Sequence, residues 1–383
     1  MAELADVFRR YGRQYLETFG EAVLPSHRRA IADIAACRTE ALGGYLVQCD
    51  SCATQDKAYR SCKNRACPKC HRNDTLHWLE KRTAELLPVM YFHVVFTLPK
   101  QLRRLVRQHQ KTLYAVLMKA AAEALMKLAA DPKYVGGKIG ILAMLHTWTS
   151  AGIYHPHVHC LVPGGGITPD QSSWIYSRKT FLVPVKALSP IFRAKFLEMA
   201  QDALPCLQIP REVWEKDWVV YSKPTVQGTD NVMEYLGRYV HRIFITDHRI
   251  PQVENGAATF QYRKTTKRKK KWRHCQGTMT LPVMEFMRRF LQHVLPAGFH
   301  KVRYYGLLHP ANRPLLRRAQ LILGPAAISK KENRTEAGHE KEPCTGKCRF
   351  CKKGRMVVIA RLLPVIKRPE QPRAIPANSR SPP

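Results

Sequence analysis

Residues 91–98 read YFHVVFTL, an unbroken run of β-branched and aromatic side chains that predicts a buried strand. Strand character returns over 138–148, and a short turn at 150–152 leads into YHPHVHCLVPGGG at 154–166. Alternation along that strand puts His157 and His159 on one face and Val158 on the other. A hairpin with its tip at 150–152 sets His146 roughly opposite His157. Elsewhere the apolar spacing is helical. Val7, Tyr11 and Tyr15, then Ala30, Ile31 and Ile34, predict helices broken around Pro25. Residues 101–130 read as one amphipathic helix with Leu102, Leu105, Val106, Leu113, Leu117 and Leu125 near one face, ended by Asp131 and Pro132. Further helices are expected over 76–87, 185–204 and 282–295, and a short strand over 218–221. Asp230 suits the N-cap of another, which carries Tyr235 and Tyr239 four residues apart on one face. Residues 260–279 alternate about a basic centre, KTTKRKKK, as a β-hairpin with a charged tip does.

The 383 residues, 45% of them hydrophobic, suffice for two or three domains. Composition divides the chain into an N-terminal helical and cysteine-rich module at 1–88, a central domain at 89–323, and a C-terminal region at 324–383 made of a charged linker, a cysteine cluster and a proline-rich tail that reads as disordered beyond Pro369. Lys and Arg number 63 against 29 Asp and Glu, a net charge of +34 that suits a polyphosphate partner rather than a small metabolite. There is no 18-residue apolar run and no apolar signal core, which predicts a cytoplasmic protein away from the membrane. The twelve cysteines then read as metal ligands rather than disulfides.

Cys49 and Cys52 form one CxxC knuckle and Cys67 and Cys70 another, with fourteen residues between, a spacing that predicts four thiolates on one Zn²⁺. Cys37 and Cys62, with His71 and His27, are spare ligand types for a second ion. Cys344, Cys348 and Cys351 form a separate C-terminal cluster for which His339 is a candidate fourth ligand. Lys57, Arg60, Lys63, Arg65, Lys69 and Arg72 crowd the first module, as nucleic-acid recognition requires. His157 and His159 make half of a divalent-metal site, with His146, His155 and His93 as rival third ligands. A tyrosine phenol beside such a site can attack a phosphodiester, and Arg238 and Arg242 on the same helix can hold phosphate oxygens. Lys267, Arg268, Lys269 and Lys270 at the hairpin tip suit contact with a DNA backbone. No GxxxxGK[ST] loop occurs, so ATP-driven unwinding would fall to a host helicase.

The ordered set CRTEALGG to SCKNRACPKC, FHVVFTLP, HTWTSAGIYHPHVHCLVPGGG, YLGRYVHR and TMTLPVMEFMRRFLQHVLPAGFHKVRYYG resembles the two-tyrosine HUH transposases of bacterial insertion sequences, the insertion-sequence-ninety-one type, over most of the chain to about Arg313. The resemblance implies an α+β fold: an HUH endonuclease core of antiparallel sheet and helices, preceded by a zinc-ribbon-like module and followed by a small Cys-containing region. It implies that His157 and His159 hold a catalytic Mg²⁺ or Mn²⁺, and that Tyr235 and Tyr239 are paired nucleophiles. The family nicks and rejoins single-stranded element ends and target DNA through 5′-phosphotyrosine intermediates in rolling-circle transposition, a bacterial, nucleoid-associated activity. Three other readings compete. A replication initiator or relaxase would share the chemistry. A non-catalytic zinc-dependent DNA-binding protein would not need the tyrosines. A zinc hydrolase would need a nearby acidic general base, and none lies between Asp131 and Asp170.

Overall fold

The computed structural model describes residues 2–70, 78, 82, 84–225, 243–268, 271–324 and 346–365. In chain order its main elements are α1 (Leu4–Phe19), α2 (Pro25–Ala36), β1 (Gly44–Cys49), β2 (Gln55–Tyr59), β3 (Tyr91–Thr97), α3 (Arg103–Gln108), α4 (Gln110–Ala129), β4 (Gly140–Trp148), β5 (Tyr154–Pro163), β6 (Gly165–Ile167), β7 (Trp174–Tyr176), α5 (Val185–Ala203), β8 (Val220–Pro224), β9 (Gln252–Glu254), β10 (Ala257–Arg268), β11 (Lys271–Pro282), α6 (Val283–Leu291), β12 (Val302–Gly306), α7 (Arg313–Leu323) and β13 (Met356–Leu362).

Five antiparallel strands in the order β12-β4-β5-β3-β8 make the central sheet. One face is apolar across its three central strands: Phe92, Val94 and Phe96 of β3, Ile141, Ala143 and Leu145 of β4, and Val158, Cys160 and Val162 of β5 pack against α4 and α5. The small residues Ala120, Ala121, Ala122 and Ala124 are all buried, so α4 can lie close to both the sheet and α5. Sequence periodicity predicted one helix over 101–130. The structure divides it, because His109 leaves the helical region at φ −118° and ψ 44° between α3 and α4. The apolar period does not record the break, since Leu105, Val106 and Leu113 pack on the same core on either side of it.

A second core joins parts distant in sequence. Phe8 of α1, Ile31 and Ile34 of α2, and Cys37, Cys62 and Cys67 pack with Phe260 of β10 and with Phe286 and Phe290 of α6. The rings of Phe8 and Phe290 lie 5.4 Å apart, edge to face. Arg65 reinforces this joint by donating to the backbone carbonyls of Leu295, Pro296 and Phe299. β13 extends the hairpin of β1 and β2 into a three-stranded sheet, β13-β1-β2. The division of the chain at 88 and 323 is therefore one of composition; in space residues 346–362 and 244–294 both build on the N-terminal module. Among the described residues no helix is long and apolar enough to cross a membrane.

Candidate metal centres and the strand that carries the histidines

β5 is the middle strand of the five, and its alternation does what the sequence pattern requires. Val158 lies on the apolar face with no exposure, while His155, His157 and His159 point to the other side. The register pairs His146 of β4 with His157, and Met144 with His159. An irregularity follows between His146 and Trp148, and the Trp148 indole stacks on the His146 ring at 4.8 Å and 20°. The β4–β5 turn holds this register. Gly152 turns at φ +76°, and a Cβ there would meet the ring of Phe244 at 2.5 Å. Arg249 donates to the Ser150 carbonyl at 2.9 Å, Gln292 to the Gly152 carbonyl at 2.8 Å, and the Ser150 hydroxyl to the Arg263 carbonyl at 2.6 Å. Hairpin and α6 thus grip the turn from outside the sheet.

One potential ligand atom from each of His146, His157 and His159 converges to within 4.8 Å of the others. The ring of His146 lies 5.6 Å from that of His157 and 4.4 Å from that of His159, centroid to centroid. His157 Nδ1–H donates to the His155 carbonyl at 2.7 Å, which makes Nε2 its metal-facing nitrogen. His159 Nδ1 is 2.8 Å from Nε2 of His93, and the two rings stack at 10°. Burial first, then the charges of Lys223 and His157, push His93 down to about 4, so at neutral pH it is an uncharged partner for His159. Arg103 donates to His155 Nδ1 at 2.7 Å, and burial together with that guanidinium pushes His155 to about 4. Of the three rival third ligands, His146 is the one that converges. His93 orients His159, and His155 answers to Arg103. Three imidazoles in this arrangement suit Mn²⁺ or Zn²⁺ better than Mg²⁺, which prefers oxygen.

The cysteines divide differently from the expectation. Cys37, Cys62, Cys67 and Cys70 form one cluster, and Cys49, Cys52, Cys348 and Cys351 form another. The two knuckles separated by fourteen residues do not share an ion, and the reason is the hairpin between them. β2 runs back along β1 so that Tyr59 faces Gly44, at the end opposite Cys49. Five residues of strand carry the chain about 17 Å, which takes Cys62 away from Cys49 and toward Cys37. In the first cluster the Sγ–Sγ separations are 3.6 Å for Cys37–Cys70, 3.5 Å for Cys62–Cys70 and 3.7 Å for Cys37–Cys67. A zinc tetrahedron with arms of about 2.3 Å has edges of about 3.8 Å, whereas a disulfide brings the sulfurs to about 2.05 Å. The spacing therefore fits a tetrathiolate zinc. His27 takes no part in it. That ring is buried in the first turn of α2, its Nε2 has no hydrogen-bond partner, and burial pushes it down to about 4.

Tyr235, Tyr239, Arg238 and Arg242 lie outside the described residues, as do His71, Lys269, Lys270, His339 and Cys344. The residues bracketing the tyrosine segment are placed. The Thr225 N–H donates to the Tyr91 carbonyl at 2.8 Å, beside β3, and Phe244 packs on Gly152 at the tip of the β4–β5 hairpin. Lys267 and Arg268 lie at the far end of the long β10–β11 hairpin, where Arg268 pairs with Lys271. What the sequence pattern missed is the supporting layer: His93, a candidate ligand in sequence, stands behind His159 instead, Trp148 stacks on His146, and Arg103, which holds His155, lies in no motif.

Residues 7–98 match a family described as "Transposase zinc-binding domain", of the IS91 type, and residues 140–314 match one described as "Putative transposase". The chain is 39% identical over 384 aligned residues to "Putative transposase y4qJ" of Sinorhizobium fredii (strain NBRC 101917 / NGR234), covering 93% of this chain and 94% of that one. It is 29% identical over 307 residues to "Transposase for insertion sequence element IS801" of Pseudomonas savastanoi pv. phaseolicola, covering 74% of this chain and 70% of that protein. No solved structure matches.

Proposed function

Because the chain belongs to the IS91-type transposases with an N-terminal zinc-binding domain, we propose that it cuts and rejoins single-stranded DNA at the ends of its element as an HUH nuclease with two tyrosine nucleophiles. The observation that carries the reading is the convergence of His146, His157 and His159 on one face of a five-stranded antiparallel sheet.

A divalent ion held by these three histidines would withdraw charge from the non-bridging oxygens of the scissile phosphate. The chain's own groups do the rest. The His155 carbonyl and His93 fix the tautomers of His157 and His159, so the ligand set is oriented before DNA arrives. The phenolic oxygen of Tyr235 or Tyr239 attacks phosphorus; the bond to the 3′ oxygen breaks, and that oxygen takes a proton and leaves as a 3′-OH. The 5′ phosphate stays on the tyrosine, which conserves the energy of the bond. Attack by a 3′-OH reverses the step and releases the tyrosine, so strands exchange without ATP. The second tyrosine serves the other end or the target. Arg238 and Arg242 neutralise phosphate charge, and the hairpin tip at Lys267, Arg268, Lys269 and Lys270 tracks the strand.

The test uses the purified chain with single-stranded oligonucleotides from the ends of its element, in Mn²⁺ or EDTA, resolved on a denaturing gel. A metal-dependent protein–DNA adduct that disappears in His157→Ala and in the Tyr235→Phe, Tyr239→Phe double variant supports the reading. Binding with no adduct across end sequences and metals leaves a non-catalytic DNA-binding protein.

A further inference from the structure

The four cysteines expected to share one zinc part as two pairs, Cys67 with Cys70 in the inner cluster and Cys49 with Cys52 in the outer, and the outer cluster is the unusual one. Cys49 and Cys52 come from the turn after β1, while Cys348 and Cys351 come from a segment about three hundred residues later. The Sγ atoms of Cys49 and Cys351 are 3.7 Å apart across 302 residues, and those of Cys52 and Cys348 are 3.8 Å apart across 296. Both match the edge of about 3.8 Å that a zinc tetrathiolate requires.

The backbone around the four sulfurs has the form of two facing knuckles. Ser51 and Cys52 N–H groups point at Cys49 Sγ at 3.4 Å, and the Gly354 N–H points at Cys351 Sγ at 3.4 Å. Ala53 follows Cys52 with φ +56°, and Lys352 follows Cys351 with φ +59°. Arg38 and Lys63 do the same after Cys37 and Cys62 in the inner cluster, so four of the six described non-glycine residues with positive φ stand directly after a cluster cysteine. Side chains rarely adopt that conformation without a constraint that holds it. Gly354 lets the knuckles meet, since a Cβ there would lie 2.5 Å from Cys49 Sγ. Asp50 bridges them, its N–H donating to the Arg355 carbonyl at 3.0 Å and its carboxylate accepting from the Arg355 N–H at 2.8 Å.

Apolar packing does not account for this joint. β13 is an edge strand, and Val357, Ile359 and Phe350 are each about half exposed. Strand pairing with so little burial is marginal in water. We propose that Cys49, Cys52, Cys348 and Cys351 hold a second structural zinc, a clasp that fastens the C-terminal segment 346–362 to the N-terminal module. The family match to a zinc-binding domain ends at residue 98 and contains only half of this ligand set. The clasp makes that module complete only when the far end of the chain has been made.

Zinc content of the gel-filtered full chain in a His157→Ala background, which takes the histidine site out of the count, tests this independently of any nuclease activity. The chain is expected to carry two zinc ions. The Cys348→Ser, Cys351→Ser variant and the Cys49→Ser, Cys52→Ser variant should each carry one, and the quadruple variant should still carry one. A content of one or three in that background with all cysteines present, or two ions retained by either double variant, overturns the shared site. Hydrogen exchange covers the case in which the quadruple variant misfolds. In Cys49→Ser, Cys52→Ser, peptides across 346–362 should lose protection while those of α4 keep theirs. Unchanged protection of 346–362 in a variant that has lost one zinc overturns the clasp.

Discussion

His93 shows how a residue read in sequence as a candidate ligand can serve the site from behind a ligand instead. It stacks on His159 and meets its Nδ1 at 2.8 Å, so replacement by alanine should leave the fold intact and cost about 10- to 100-fold in Mn²⁺ affinity. Titration followed by the paramagnetic resonance of free Mn²⁺ reads this, with His155→Ala, which removes the partner of Arg103 but keeps the backbone carbonyl that holds His157, as the milder comparison. Gly152 is a different kind of requirement. A side chain there meets both a positive φ and the ring of Phe244, so Gly152→Ala should destabilise by about 2 to 4 kcal/mol in thermal or denaturant unfolding. His293 beside it carries a pH dependence. Burial, the dominant cause, with Arg107 and Arg288, takes it from an ordinary 6.5 to about 3, against the raising effect of the Gly152 carbonyl. The unfolded chain then binds a proton that the native state refuses. Stability is complete above 6.5, falls as pH drops below that value, and levels only near 3, a loss of about 2 kcal/mol at pH 5. Unfolding midpoints measured from pH 7 to 5 should fall, and the slope should be shallower in His293→Gln.

At the level of elements, the strands were the legible part. β3, β4, β5 and the β10–β11 hairpin follow from β-branched runs and alternation, and the opposition of His146 and His157 follows from a short turn. The break at His109 was not legible, because a local departure in φ and ψ leaves the apolar spacing unchanged. Nor was the grip of Arg249, Gln292 and Ser150 on the β4–β5 turn, which joins side chains and carbonyls up to 140 residues apart. The hairpin itself offers a separable test of DNA contact. Replacing Lys267, Arg268, Lys269 and Lys270 with glutamine should weaken single-strand binding across sequences and flatten the dependence of log K on log salt by about 3, from four lost phosphate contacts.

On the scale of the whole molecule, the cysteines show where spacing stops being informative. Cys67 and Cys70 stand at ribbon distance from Cys49 and Cys52, yet an antiparallel hairpin carries the two knuckles apart, and each finds partners that only the fold supplies. The positive charge, by contrast, was read from composition alone, and it suits the DNA partner of a transposase. The central claim is that a tyrosine of the 235–239 pair becomes joined to a 5′ phosphate. Its most direct measurement is proteolysis of the adduct formed with an element-end oligonucleotide, followed by mass spectrometry of the nucleotide-bearing peptide. The account predicts a peptide containing Tyr235 or Tyr239 with the mass of a 5′-phosphorylated strand. A modified residue elsewhere in the chain, or a 3′-phosphate linkage, would contradict it.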